Sequence, residues 1–262
     1  MRILISNDDG IHSVGLKALA AKLCDKHEVY VIAPDRERSA AGHSLTLHRP
    51  LRVDKVDMGV KVAQAWETTG TPGDCVKIGI SSILGEAQKP DLVISGINYG
   101  PNLGSDILYS GTVSAAMEGA VLGYPSIAVS LFGSGDFFES DFIYSADFIS
   151  KFMNNIAQIN FPKKTILNIN IPAVDADEIT GVQITRLGTR MYTDSYEKRL
   201  DPRGKTYYWM AGEILKTEQE DGTDIMAIRN NKISITPVTF EMTHKSIMPE
   251  LEQAFCNGLC EP

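Results

Sequence analysis

Two adjacent carboxylates stand near the start of the chain, in the sequence Ser6-Asn7-Asp8-Asp9-Gly10. Two negative charges side by side repel each other, which costs free energy unless a cation or a proton lies between them. A hard divalent metal ion is the simplest cation to expect at such a pair. The alternative is an ordinary solvated turn, in which Asp, Asn and Gly are also the common residues.

The residues before this pair predict a buried strand. Arg2–Ser6 consists mostly of Ile and Leu, which is typical of a strand buried on both faces of a parallel sheet. In open α/β sheets, ligands bind just past the carboxyl ends of such strands. Asp8 and Asp9 therefore stand where this class of fold most often builds an active site.

Two further polar loops follow predicted buried strands. The strand over 28–33 leads to a loop that contains Ser39, and the strand over 91–95 leads to a glycine-rich stretch that contains Asn98. Because carboxyl ends of parallel strands meet at one edge of the sheet, both side chains can face the two aspartates. The alternative for Ser39 is a residue in a surface loop with scattered charge.

Together these loops supply two carboxylates, a hydroxyl and an amide oxygen, from Asp8, Asp9, Ser39 and Asn98. Hard oxygen ligands with open positions suit Mg²⁺ or Mn²⁺ better than zinc, which favours His and Cys. The sequence thus predicts one divalent metal ion at this edge of the sheet, with Asp8 and Asp9 also catalytic.

An anion site is predicted at the start of a helix that we expect over about residues 113–122. Small residues and free backbone amides at a helix amino terminus bind phosphate well. The predicted phosphate-binding residues are Asn98, Asn102, Ser110, Gly111 and Thr112. A tight structural turn is the alternative. A metal ion beside a bound phosphate predicts metal-assisted phosphoryl hydrolysis, with a carboxylate as the proton acceptor.

Alternating strands and helices predict an α/β fold with a doubly wound, mostly parallel sheet. Ser13 and Thr71 are expected to cap helices that begin just after them. Two short alternating runs, at 51–56 and 60–65, are expected to form an antiparallel pair.

The last part of the chain, residues 186–262, has a different composition. A turn signal at 201–204 separates two strand-like runs and predicts a long β-hairpin. The consecutive residues Tyr207, Tyr208 and Trp209 place aromatic side chains on both faces of that hairpin. Such a hairpin needs a partner surface, so we expect an oligomeric contact, with a flap over its own domain as the alternative.

The composition excludes several classes of protein. A net charge of -8 argues against a stable nucleic-acid partner, which would need a basic surface. No apolar run approaches the roughly 20 residues of a membrane helix, and the amino terminus lacks a signal-peptide pattern, so we expect a cytoplasmic protein. The cysteines are expected to be free thiols: Cys24, Cys75, Cys256 and Cys260.

Three long motifs closely resemble the stationary-phase survival protein SurE family. They are SNDDG at 6–10, APDRERSAAGHSLT at 33–46 and SGINYGPNLGSDILYSGTVSAAMEG at 95–119. WETTGTPGDCV at 66–76 and ISITPV at 233–238 are similar too. The resemblance spans nearly the whole chain.

The resemblance implies a metal-dependent 5′-nucleotidase, which hydrolyses nucleoside 5′-monophosphates to nucleoside and phosphate. Many family members also act on 3′-nucleotides, and some act on short polyphosphate. Asp8, Asp9, Ser39 and Asn98 match the metal-binding set of the family. The resemblance also implies a Rossmann-like three-layer sandwich, here over 1–185. The remaining hairpin, strand and helix, over 186–262, are then expected to form homodimers or homotetramers by exchange of carboxyl-terminal segments.

One departure from the family pattern lies at Asn230-Asn231, where relatives commonly carry a glycine. Asparagine tolerates left-handed backbone, so no loss of activity is expected. Two other classes of function stay open at this point. One is a nucleotide-binding or regulatory module without turnover, and the other is a metal-dependent glycosyltransferase or deacetylase. A covalent aspartyl-phosphate is a rival mechanism, but it normally uses aspartates two residues apart rather than adjacent ones.

Overall fold

A computed structural model of the protein describes residues 1–133, 137–156, 158–193, 195–215 and 220–255. The strands are β1 (Arg2–Ser6), β2 (Glu28–Pro34), β3 (Val53–Lys55), β4 (Gln64–Thr68), β5 (Leu92–Tyr99), β6 (Ser126–Phe132), β7 (Thr165–Pro172), β8 (Gly181–Ile184), β9 (Tyr196–Leu200), β10 (Thr206–Met210) and β11 (Lys232–Thr239). The α-helices are α1 (Val14–Leu23), α2 (Pro72–Ile78), α3 (Gly111–Val121), α4 (Glu139–Ile156), α5 (Asp224–Arg229) and α6 (Met248–Phe255).

The main sheet has nine strands in the order β3-β4-β2-β1-β5-β6-β7-β11-β8. From β4 to β7 every neighbouring pair is parallel, whereas β3 runs antiparallel to β4 and β11 runs antiparallel to β7. Helices cover both faces, which makes three layers. The predicted α/β fold with a mostly parallel sheet is confirmed.

Strand β1 lies inside the sheet between β2 and β5 and is buried on both faces, as predicted. Ile3, Leu4 and Ile5 are all fully buried. Side chains alternate along a strand, so Ile3 and Ile5 pack with α1 and α4, whereas Leu4 packs with α2 and α3. Burying each such side chain stabilises the fold by about 1.5–3 kcal/mol.

The strand order reverses at β1. The chain leaves β1 for β2 on one side, and β5 pairs with β1 on the other side, with Ile5 opposite Ile94 and Ser6 opposite Ser95. Connections that leave in opposite directions open a crevice at the carboxyl ends of the two strands. The loops after β1 and β5 line that crevice.

The predicted helix caps are present. The Ser13 hydroxyl accepts a hydrogen bond from the amide of Leu16 at the start of α1. Thr71 and Asp74 form a reciprocal capping box at the start of α2. The helix expected from about residue 113 begins two residues earlier, at Gly111, because the Ser110 hydroxyl accepts from the amide of Val113.

Two strand boundaries differ from the prediction. Strand β5 continues to Tyr99 instead of ending at residue 95, because a register shift lets Asn98 pair with Ser130 on β6. Strand β4 begins at Gln64, later than expected, and joins the main sheet beside β2. Its antiparallel pairing with β3 is as predicted.

The carboxyl-terminal region contributes to two sheets. Strands β9 and β10 form the predicted hairpin, and every residue of both strands is exposed, so the hairpin does not bury its strands against its own domain. Strand β11, in contrast, lies inside the main sheet between β7 and β8. Asn231 before β11 adopts the left-handed backbone that its residue type tolerates, with φ of 53°.

No helix within the described ranges is both long and apolar enough to span a membrane. Cys24 and Cys75 are free thiols. Cys256 and Cys260 lie outside the described residues.

Candidate active site

Asp8 lies against the first turn of α3. Its side chain is buried, and Thr112 donates a hydrogen bond from its hydroxyl to the Asp8 carboxylate. A Cβ on Gly111 would stand 2.7 Å from the Asp8 Cβ and 2.8 Å from its Oδ2, so only glycine permits this approach. Burial raises the pKa of Asp8, while hydrogen bonds from Thr112 and the backbone at the start of α3 oppose that rise.

Asp9 faces the other strand of the crevice. Its Oδ2 accepts a hydrogen bond from the backbone amide of Tyr99 at 3.1 Å. Burial, and then the neighbouring charge of Asp8, raise the pKa of Asp9 to about 7. Among the described residues, neither aspartate forms an ion pair with a basic side chain. Two desolvated carboxylates without a counter-charge suit a bound cation.

Asn7 fixes the turn that presents the two aspartates. Its buried Nδ2 donates to the carbonyl of Gly10 at 3.0 Å and to the hydroxyl of Ser13 at 2.7 Å. The amide of Gly10 donates back to Asn7 Oδ1 at 3.2 Å. Asn7 thus ties the turn to the cap of α1, a structural role that the sequence analysis did not assign.

Ser39 lies in an exposed loop that passes along the turn. The amide of Arg38, the preceding residue, donates to the backbone carbonyl of Asp8 at 2.7 Å. The Ser39 hydroxyl donates to Glu37 Oε1 at 2.6 Å. The structure therefore brings the Ser39 loop to the aspartate turn, as its position after β2 predicted.

A buried glutamate on α3 holds the same loop further along. Glu118 is 4% exposed, and its Oε2 lies 2.9 Å from His43 Nε2 while its Oε1 lies 2.7 Å from Lys77 Nζ. The His43 contact, followed by Lys77, keeps the pKa of Glu118 below its ordinary value despite burial. Glu118 was not predicted from the sequence, although a lone carboxylate on the apolar helix α3 was a usable signal.

Asn98 stands at the end of β5, next to the Tyr99 amide that binds Asp9. Its side chain is half-buried, and its Nδ2 donates to the carbonyl of Gly100 at 2.8 Å. That bond fixes the amide plane through Nδ2, and the amide oxygen Oδ1 is of a kind that can serve as a ligand.

Asn102 belongs to a buried polar network at the ends of β6 and β7. Its Nδ2 donates to Ser130 Oγ at 2.7 Å, and its amide donates to Asn170 Oδ1 at 2.9 Å. Its carbonyl accepts from both Asn168 and Asn170. These contacts attach the glycine-rich loop to the ends of β6 and β7.

The chemistry of the donor set fits a hard metal ion. Within the residues that the structure describes, no three or more His, Cys, Asp or Glu side chains are grouped to hold a metal. The candidate set instead combines the carboxylates of buried Asp8 and half-buried Asp9 with the oxygens of Ser39 and Asn98. Magnesium and manganese accept such mixed oxygen ligands and retain water at open positions.

The family model described as "Survival protein SurE" matches residues 3–194. The chain belongs to the SurE family. The matched range contains every predicted site residue, from Asp8 to Thr112, whereas the hairpin and β11 lie beyond it. The resemblance stated from the motifs is confirmed.

SurE relatives match almost end to end. A protein named 5′-nucleotidase SurE from Heliobacterium modesticaldum is 46% identical over 258 residues, which cover 98% of this chain and 93% of the relative. Another of that name, from Thermosynechococcus vestitus, is 50% identical over 259 residues, covering 97% and 96%. The crystal structure of the SurE protein from Aquifex aeolicus superposes with a TM-score of 0.82 at 43% identity, covering 96% of this chain and 98% of that one.

Proposed function

We propose that this SurE protein is a metal-dependent 5′-nucleotidase, a phosphoric monoester hydrolase that releases phosphate from nucleoside 5′-monophosphates. The observation that carries the proposal is the pair formed by buried Asp8 and half-buried Asp9, which has no basic partner among the described residues and lies where the strand order reverses. The names of the relatives, which cover nearly the whole chain, support the same activity.

The proposed ligands of one Mg²⁺ or Mn²⁺ ion are Asp8, Asp9, Ser39 and Asn98. When bound, such an ion polarises a phosphoryl oxygen and makes a water molecule more acidic. The Ser39 loop is tied to the aspartate turn through the amide of Arg38. This bond keeps the Ser39 loop beside the aspartate turn, which supports Ser39 as a ligand of the same ion.

The proposed phosphate site uses the start of α3, where Ser110, Gly111 and Thr112 present small side chains and backbone amides, together with Asn98. Partial positive charge at a helix amino terminus stabilises an anion. The same amides stabilise the charge of Asp8. For Asn102 we propose a supporting role, because its side chain is bonded to Ser130.

Asp9 is the proposed proton acceptor. Asp8 is buried and held by the hydroxyl of Thr112, whereas Asp9 is only half-buried, so that water can reach its carboxylate. A carboxylate within hydrogen-bond reach of water can take its proton as the phosphoryl group is attacked. Asp8 supports that role by holding its charge next to Asp9.

The test is the release of inorganic phosphate from a panel of nucleoside 5′-monophosphates with Mg²⁺, Mn²⁺ or Co²⁺. We expect turnover that a chelator abolishes and that added metal restores. The same assay with 3′-nucleotides and short polyphosphate measures the two side activities that the family resemblance implies. Absence of phosphate release from every nucleotide with every metal would contradict the proposal.

We also propose that the protein is cytoplasmic and forms homodimers or homotetramers by exchange of segments within 186–262. The hairpin β9–β10 exposes aromatic side chains on both faces, including Tyr208 and Trp209. Clustered exposed apolar side chains are typical of an interaction site. The proposed boundary at residue 185 separates two functions, catalysis and oligomerisation. It does not separate two sheets, because β11 lies beyond it and still belongs to the main sheet.

A further inference from the structure

A cavity of about 270 Å³ opens directly beside Asp9. Asp9, Ser13 and Glu139 line it, and Tyr99, Phe137 and Phe142 form an aromatic wall. The α1 and α4 amino termini frame it. Nothing in the proposed reaction so far occupies this space.

The aromatic wall is built around Tyr99. The Tyr99 and Phe137 ring centroids lie 4.5 Å apart at an interplanar angle of 77°, and the Phe142 ring lies 6.4 Å from Tyr99 at 30°. The two phenylalanines support the ring, yet the Tyr99 side chain remains 53% exposed. Its backbone amide holds Asp9 at 3.1 Å, so the ring is fixed in position relative to the reacting centre. A supported, half-exposed aromatic ring can stack on another flat ring.

Charge decides what kind of group the cavity accepts. Its described lining contains two carboxylates, Asp9 and Glu139, and no Lys or Arg. A second phosphate would be repelled there. An uncharged planar ring that carries N–H donors fits both features, since it can stack on Tyr99 and donate to the carboxylate of Glu139.

The cavity also lies on the correct side of the site. The proposed phosphate position is at Gly111 and Thr112, beside Asp8. The organic part of a phosphate ester must then extend away from α3. Asp9, next to Asp8 in the chain, is where the cavity begins.

We propose that this cavity binds the nucleobase of the substrate and that Tyr99 is a specificity-determining residue that stacks on the base. This assignment rests on the proposed nucleotidase function and adds the part of the substrate that the enzyme recognises besides phosphate. Tyr99 takes no part in proton transfer. Its side chain makes kcat/KM higher for nucleotides than for phosphate esters that lack a base.

The experiment compares two substrates that differ by the base, AMP and ribose 5-phosphate, at saturating Mn²⁺. For each variant the ratio of kcat/KM for AMP to kcat/KM for ribose 5-phosphate is measured. We expect Tyr99→Ala to lower this ratio about tenfold, mainly through the KM for AMP, because one base–aromatic stack is lost. Tyr99→Phe keeps the ring and should keep the ratio. Tyr109→Ala, which removes an exposed tyrosine of the same loop outside the cavity, is the matched control and should also keep it.

Tyr99→Leu guards against a simple packing defect in β5, because it keeps apolar bulk and removes the π face. Tyr99→Leu should lower the ratio of the two kcat/KM values by about as much as Tyr99→Ala does. A ratio within twofold of the wild type in both Tyr99→Ala and Tyr99→Leu would overturn the base assignment while leaving the nucleotidase proposal intact. An equal loss in Tyr99→Phe would overturn stacking as the cause. Wild-type protein that releases phosphate from neither substrate would overturn the proposed function and this assignment together.

Discussion

Asp8 and Asp9 are adjacent in sequence but have different surroundings. Asp8 is bonded to Thr112 and packs on Gly111, whereas Asp9 is bonded to the Tyr99 amide and lines a cavity. The sequence could place both carboxylates at the crevice, yet it could not separate their roles. The two roles differ because Asp8 contacts α3 and Asp9 contacts β5, and both elements come from distant parts of the chain.

The raised pKa of Asp9 predicts how the stability of the metal-free protein changes with pH. Its ordinary value is 3.8, and burial followed by the charge of Asp8 raises the folded-state value to about 7. The folded state therefore holds this proton more tightly than the unfolded chain does. The resulting stability is fully present below about pH 4 and is lost as pH rises through 7.

We accordingly expect the free energy of unfolding of the metal-free protein to contain a component that falls between about pH 4 and 7. Asp9→Asn should remove that component, because Asn does not titrate. Urea unfolding at several pH values, in the presence of a chelator, measures both proteins. Identical pH profiles for wild type and variant would contradict this prediction.

At the scale of elements, the start of α3 packs directly against the turn after β1. We predict that Gly111→Ala forces them apart, because the new Cβ would stand 2.7 Å from the Asp8 Cβ. Overpacking of this kind costs about 1–3 kcal/mol, and a displaced Asp8 should also weaken Mn²⁺ binding and lower turnover by at least about tenfold. Thermal unfolding, Mn²⁺ titration and phosphate release measure the three effects.

Gly73→Ala is the matched control for that variant. Gly73 lies in the first turn of α2, where a Cβ would approach no neighbouring atom closer than 3.5 Å, an ordinary contact. It should keep wild-type stability within about 0.5 kcal/mol, because the new methyl group meets only ordinary contacts. If both glycine variants behaved alike, the close approach at Asp8 would not be what makes Gly111 necessary.

Elements that are determined by residues close together in the sequence were predictable. The uncharged run of β1, and the caps Ser13 and Thr71, depend on neighbours within a few residues, and each was found where the sequence placed it. Strand β8 was missed because it is only four residues long and half exposed. The end of β5 was placed too early, because its last residues pair with β6 only after a register shift.

Parts of the site that depend on distant partners were not predictable. Glu118 and His43 are 75 positions apart, and no local pattern links them. Asn102 looked like a phosphate ligand because it lies in a glycine-rich loop. Its bonds to Ser130 and Asn170 exist only when β6 and β7 stand side by side, which a single sequence does not reveal.

At the scale of the whole molecule, the hairpin β9–β10 exposes several large apolar side chains that its own domain does not cover. Trp209 is 59% exposed and Met210 is 79% exposed, which is costly for a chain that stays alone in water. We predict a homodimer or homotetramer in solution whose contact includes this hairpin. Trp209→Glu combined with Met210→Glu should shift the protein to monomer, because two charges would be buried without partners.

Light scattering at several protein concentrations measures the mass of each variant. Val121→Glu, at a half-exposed apolar position on α3 away from the hairpin, is the control and should retain the wild-type mass. A monomeric wild-type protein, or an unchanged mass in the hairpin variant, would contradict the proposed contact.

The most direct test of the central claim is phosphate release from AMP by Asp9→Asn at saturating Mn²⁺. The variant keeps the shape of the side chain but can neither carry the charge nor accept the proton. We predict a fall in kcat of about a hundredfold or more in a protein that still folds and unfolds in one cooperative transition. Asp54→Asn, which neutralises an exposed carboxylate on β3, should remain fully active. A folded Asp9→Asn protein with wild-type kcat would contradict the assignment of this aspartate pair as the reacting centre.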